Sequence, residues 1–378
     1  MIRPALGALA LATLLLNGGA AVATPIEDAT KACDVLTASP FDPERRAEPL
    51  TLAQMSVAAA VEACTKAIAL APDDGRLHFQ LGRAYEADEK YDLAWASYSK
   101  GADLGVPVSI RAIARMAYLG LGRKIDIDTA LSLYRKAADF GLLTAQWEYA
   151  IALLSDAVKI KDYPLAINYL EMAAFGGAPE AMRQLGTLYE KGTGVARDYA
   201  KAEEWYLKAA NKGHVETMVD LGIFYGYAEG KTPEYDKSKL WFERAMEAGN
   251  LDAPHNLALL YENGRGVPKD LLKASELYRK AIERGNSKSM HNLALLLFDA
   301  KPPLKDSAES AFWFYQSILH GEKFSFDAIT EDPASWDADF NESLQKLLSK
   351  DKFYTGPING ELDTATIDGL KKALSGSL

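Results

Sequence analysis

Apolar and small side chains recur along this chain at two spacings. Within short segments they return every three or four positions, the mark of amphipathic helices. Between segments they return every 36 residues. Glycine stands at Gly105, Gly141, Gly177, Gly213, Gly249, Gly285 and Gly321, and a small residue at Ala94, Ala130, Ala166, Ala202, Ser238, Ala274 and Ser310. An acid keeps the same step at Asp126, Asp162, Asp198, Glu234, Asp270 and Asp306. Three columns held in register along most of the chain define a repeat architecture.

Each column has a physical task. The acid falls where a helix should begin, and its carboxylate can accept from free backbone N–H groups at the positive end of the dipole. Glu234, one methylene longer, is the poorest cap of the set. The small column and a second one seven residues on (Ala137, Ala173, Ala209, Ala245, Ala281, Ser317) share a helix face and permit close approach. The glycine ends that helix. An earlier helix carries its own small column at Ala114, Ala150, Gly186, Gly222, Ala258 and Ala294. It is preceded by core residues Ile113, Tyr149, Leu185, Leu221, Leu257 and Leu293. Loops such as Glu190–Asp198 and Glu262–Asp270 join the two helices. The pattern predicts an all-α, right-handed α/α superhelical solenoid of about seven helical hairpins over 73–321. The aromatic residues Trp205, Tyr206, Trp241, Phe242, Tyr278 and Trp313 are expected in the core between repeats.

Residues 111–320 resemble the SEL-one-like repeat family, relatives of the tetratricopeptide repeats. The run from Ala181 through Leu185-Gly186 and Tyr189 to Gly192, Gly194 and Val195 carries the resemblance. It continues in Asp198, Ala202, Trp205-Tyr206, Ala209-Ala210 and Gly213. The first repeat departs from it, its Gly82 to Gly105 interval being four residues short, and repeats three and seven lack the glycine pair in the loop. The resemblance implies an adaptor that binds partners on a preformed surface.

The ends are different. Residues 1–23 read as a secretory signal, with Arg3, an uncharged apolar run from Ala5 to Leu16, and Ala21-Val22-Ala23 before the cleavage point. The alternative, a membrane anchor, would need a longer run to span about 30 Å of hydrocarbon. Residues 24–72 read as an N-terminal cap with a Pro-rich stretch (Pro40, Pro43, Pro49) and a helix over Leu52–Leu70. Cys33 and Cys64, the two cysteines of an exported chain, read as one disulfide stapling loop to helix, against the alternative of two separate buried thiols. Residues 322–341 read as a linker or packed extension. Residues 342–378 resemble a truncated peptidoglycan-binding-like module around the turn Tyr354–Gly360, which would make Tyr354, Gly356 and Asn359 a glycan-binding turn. The alternative is a C-terminal cap using the same turn chemistry.

Charge and chemistry narrow the task. The net charge is −10 without a Lys/Arg cluster, which excludes wholesale nucleic-acid binding and disfavours an acidic membrane surface. The five histidines show no metal-ligand spacing, the Gly-x-Gly pairs lack the rest of a dinucleotide site, and no nucleophile elbow occurs. Neither metal, cofactor nor catalytic residue is expected. A binding surface should vary from repeat to repeat where packing columns recur. The first-helix column of Arg111, Trp147, Arg183, Val219, His255 and His291 does so. Arg111, Trp147, Arg183, His255 and His291 are therefore the expected groove residues. The expected function is a periplasmic adaptor of a Gram-negative bacterium, binding an envelope protein or peptide on its concave face. Peptidoglycan binding through the C-terminal segment is the alternative, and an envelope hydrolase the remaining one.

Overall fold

The computed structural model describes residues 24–376, and every regular element among them is a helix. The signal expected over 1–23 lies outside the described residues. The chain forms two compact units, divided between Asp162 and Tyr163.

The first unit holds α1 (Pro25–Thr37), a short 3-10 turn (Leu52–Gln54), α2 (Val57–Leu70), α3 (Gly75–Ala87), α4 (Tyr91–Asp103), α5 (Pro107–Leu119), α6 (Ile127–Asp139) and α7 (Leu143–Leu154). Cys33 and Cys64 form the disulfide. It joins two helices, α1 and α2, rather than a loop to a helix. Both cysteines are fully buried with Ala29, Ala67 and Leu77. The helix expected from Leu52 is broken at Met55, whose backbone is extended, and the short turn before it is held by the Thr51 N–H donating to Gln54 Oε1 at 2.9 Å. The Pro-rich stretch between α1 and the 3-10 turn is bound to α3. Arg83 donates from Nη2 to the Leu50 carbonyl at 2.6 Å and from Nη1 to that of Thr37, while Arg76 pairs with Asp34.

The second unit runs α8 (Tyr163–Phe175), α9 (Pro179–Lys191), α10 (Tyr199–Asn211), α11 (Val215–Tyr227), α12 (Tyr235–Glu247), α13 (Ala253–Asn263), α14 (Leu271–Glu283), α15 (Lys288–Asp299) and α16 (Ser307–Leu319). It closes with α17 (Lys323–Glu331), a 3-10 turn (Pro333–Ser335), α18 (Ala338–Lys350) and α19 (Thr364–Ser375). Within each unit, helices up to α16 pack on their neighbours in sequence as stacked hairpins.

The repeat columns do what their chemistry suggests. Asp126, Asp198, Asp270 and Asp306 accept from the backbone N–H three residues on at 2.8–3.1 Å. Glu234 makes no such bond and pairs instead with Lys231 and Lys237. Two glycines show that the glycine columns have different reasons. Gly213 has φ +85° with nothing within 4 Å of a built Cβ, so it is there for left-handed backbone. Gly186 is helical, and a Cβ on it would stand 2.6 Å from the Tyr206 ring, so it is there for contact between the helices of one hairpin. Trp205, Tyr206, Trp241, Phe242 and Tyr278 are buried as expected, and Trp313 is half-buried.

Of the two readings of residues 322–341, linker or packed extension, the structure has the packed extension. Ile329 and Phe340 are fully buried, and Trp336 stacks on Phe340 at 4.3 Å against Phe298 and Phe314. Helix α17 continues the repeat register: Ile329 stands 36 residues after Leu293, and Ser325 after Ser289. Residues Leu344, Leu348, Tyr354, Leu370 and Ala373 complete the same core, so the C-terminal segment caps the last hairpin.

Candidate interaction surface

The first helices of the repeats are α5, α7, α9, α11, α13 and α15. Four residues of their variable column tie one repeat to the next. Arg111 on α5 grips Glu148 on α7 with Nε to Oε2 at 2.7 Å and a second bond from Nη2. Arg183 on α9 grips Asp220 on α11 in the same two-bond manner. His255 on α13 shares a 2.8 Å hydrogen bond with the Ser289 hydroxyl on α15. His291 repeats that bond with Ser325 on α17 at 2.9 Å. Arginine therefore reaches 37 residues on and histidine 34, to different positions of the following first helix. The longer, forked guanidinium can clamp a carboxylate that the imidazole does not reach.

The five residues expected to line a groove are not alike. Arg111 is buried, its side chain only 6% exposed, with Glu148 beside it and the Phe41 ring 4.2 Å away. Little of its guanidinium faces solvent, because Phe41 of the N-terminal segment lies over it. The Arg183 side chain keeps 46% of its surface, and its Asp220 hydrogen bond holds its pKa up. Trp147, His255 and His291 are half-buried. Burial holds both histidines below their usual pKa, only partly offset by Asp252 and Glu322. His255 lies 5.7 Å from the Tyr278 ring, and His291 stands edge-on to Phe314 and Phe324. Arg183, His255 and His291 each reach toward the next first helix and not toward one another.

A second column escaped the sequence analysis. Tyr98, Tyr206 and Tyr278 on the second helices donate their hydroxyls to Glu86, Glu190 and Glu262 at the ends of the first helices. Burial is the main cause that raises all three phenol pKa values. The signal was present: Glu190 and Glu262 lie 16 residues before their tyrosines, and where Phe242 takes the ring position, Gly226 takes that of the acid.

The C-terminal turn is occupied by its own bonds. Tyr354 is 3% exposed and donates to the Pro357 carbonyl at 2.8 Å. Asn359 accepts on Oδ1 from Gln345 Nε2 at 3.0 Å and from the Glu361 N–H at 3.1 Å. A Cβ on Gly356 would meet the Tyr354 hydroxyl at 2.4 Å, so this glycine makes room for the phenol. The three residues read from sequence as a glycan-binding turn thus hold the turn together. Among the described residues no group of three His, Cys, Asp or Glu side chains is placed to hold a metal, and no helix is long and apolar enough to cross a membrane.

Comparison with known proteins is consistent along most of this architecture. The family model described as Sel1 repeat matches residues 107–141, 144–174, 179–214, 215–250, 252–286 and 287–322. The crystal structure of a Sel1 repeat protein from Oxalobacter formigenes aligns with 28% identity and a TM-score of 0.54, over 62% of this chain and 97% of that one. A protective antigen present in uropathogenic Escherichia coli strains, displaying an SLR fold, aligns at 24% identity and a TM-score of 0.57, over 85% and 73% of the two chains. Chitin synthase regulatory factor 3 of Schizosaccharomyces pombe is 28% identical over 123 residues, 31% of this chain. The match takes in only 13% of that regulatory factor's length.

Proposed function

Because the chain belongs to the Sel1 repeat family, built as a scaffold of helical hairpins, we propose that it is a periplasmic adaptor that binds an envelope protein or peptide along its first helices. One observation carries the reading: packing columns recur from repeat to repeat, while the column on the first helices changes chemistry and stays partly open. Arg183, His255 and His291 in the second unit and Trp147 in the first are the proposed contacts, offering a cation, two imidazoles and a large aromatic ring. Arg183 and the histidines are already fixed by the neighbouring repeat, so little side-chain freedom is lost on binding. Recognition by a preformed surface requires no bond to be made or broken. The Cys33–Cys64 disulfide supports an oxidising compartment, in keeping with the signal read at residues 1–23.

The test is co-purification from a periplasmic extract. The wild-type chain should retain one protein at fixed stoichiometry. The triple variant Arg183→Ala, His255→Ala, His291→Ala, verified as folded, should bind it about ten-fold more weakly or worse, a loss of at least about 1.4 kcal/mol. Sedimentation with purified sacculi instead, abolished on removing residues 342–378, would move the function to the cell wall.

A further inference from the structure

The N-terminal segment shows how α3 holds irregular backbone. The carbonyls of Thr37 and Leu50, at the two ends of that segment, accept from the buried Arg83 guanidinium. One face of α3 thus already binds peptide backbone. Seven residues earlier, two turns along the same face, stands Arg76, 6% exposed. Its bond to Asp34 uses one nitrogen, and Asp42 lies 3.8 Å from Nη1, beyond hydrogen-bond distance. Arg76 Nε and Nη1, Asp42 Oδ2 and Thr144 Oγ1 are left without hydrogen-bond partners.

These three side chains line one cleft of about 500 Å³ between the N-terminal segment and the starts of α5 and α7. That volume is within the usual range for a ligand site. The remaining wall is largely apolar, with Val106, Pro107 and Leu142 among its residues, and Phe41 and Phe140 line it while 45% and 57% exposed. Neither α5 nor α7 has a side-chain cap on its first N–H groups.

We propose that this cleft docks an extended, apolar peptide strand, with a side chain lodged between Phe41 and Phe140 and the C=O and N–H of one strand residue meeting Arg76 and Asp42. The unmet groups select that chemistry. A free carboxylate would gain Arg76 but meet Asp34, Asp42 and Glu44, and an ammonium would meet Arg45 and Arg76. One residue of an extended strand satisfies both sides, since its carbonyl and N–H lie on the same edge: the carbonyl accepts from the guanidinium and the N–H donates to the carboxylate. The uncapped helix starts offer further donors to the next carbonyls. The proposal deepens the adaptor reading and rests on it, adding a site in the first unit and the class of segment it takes.

The probe is an acetylated, amidated alanine pentapeptide with one central phenylalanine, titrated into the full chain carrying labelled methyl groups. Shifts confined to Val106, Val108, Leu142 and Leu143 are expected. The same peptide N-methylated at phenylalanine should bind about ten-fold more weakly, and so should the wild-type peptide to Phe140→Asp, a change at an exposed ring. Absence of these shifts, equal binding of the N-methylated peptide, or no effect of Phe140→Asp would each overturn the proposal. If the periplasmic partner is lost in the Arg183, His255, His291 variant while the pentapeptide does not bind, the cleft proposal fails alone. If the pentapeptide binds and no protein partner co-purifies, the adaptor reading fails and the cleft stands as a peptide site.

Discussion

Removing the Cys33–Cys64 disulfide should lower the melting temperature of the first unit by about 10–15 °C. The bond closes a sequence separation of 31 residues between α1 and α2. A loop of that length gives up about 3–4 kcal/mol of unfolded-state entropy in the chain-entropy model. For a unit of this size, 1 kcal/mol is worth roughly 3–5 °C. Losing the link should matter here because α1 is held to α3 by buried polar groups: Asp34 with Arg76 and Gln80, and the Thr37 carbonyl with Arg83. Freed from α2, α1 and the segment after it would leave these charges to water. The assay is calorimetry of the oxidised chain against the Cys33→Ala, Cys64→Ala variant, with a thiol titration of the denatured wild type that should find no free thiol before reduction. A shift below about 3 °C would refute the argument, since it would mean that α1 adds little to the unit it covers.

Acid should loosen the second unit below about pH 6.5. His255 and His291 are held neutral by burial, with Asp252, Lys288 and Glu322 as the charged groups that act on them. A lowered folded pKa leaves stability complete above the unfolded value and removes it as pH falls through the folded one. The double variant His255→Gln, His291→Gln should flatten the melting curve between about pH 7 and 5, and an unchanged slope would contradict this. Replacing Asp270 by alanine should cost about 1 kcal/mol by urea unfolding, whereas Glu234→Ala, which removes no cap, should cost clearly less; equal losses would remove the capping account. Trp336→Ala should cost about 3–5 kcal/mol because it opens the core of Phe298, Phe314 and Phe340, and a loss under about 1 kcal/mol would restore residues 322–341 to linker status.

The hairpins, their caps and their small columns were legible because each is a local demand repeated at a fixed step. Asp198 must meet N–H groups three residues on, and Gly186 must admit the ring of Tyr206, whatever lies beyond. Pairing between repeats was harder to read, because it depends on how far each side chain reaches. Arg183 and His255 occupy equivalent positions, yet one reaches 37 residues ahead and the other 34, a difference that shows only when the acid 37 residues after each arginine and the serine 34 after each histidine are read with them. The burial of Arg111 was hidden for a different reason: Phe41, remote in sequence, lies over its guanidinium. Helix α17 was missed although Ile329 and Ser325 keep the 36-residue step, since the glycine and acid columns end before it. The break at Met55 was hidden by a helical apolar pattern on both sides.

The central claim, that this scaffold works by presenting its first helices, is most directly tested by photocrosslinking in living cells. A photoreactive residue placed singly at 147, 184, 256 and 292 on first helices should yield one discrete protein adduct, identified by mass spectrometry. The same residue at the exposed second-helix positions 201 and 272 should yield none. Adducts from the second helices alone, or label on glycan with no protein captured from the first helices, would contradict the account.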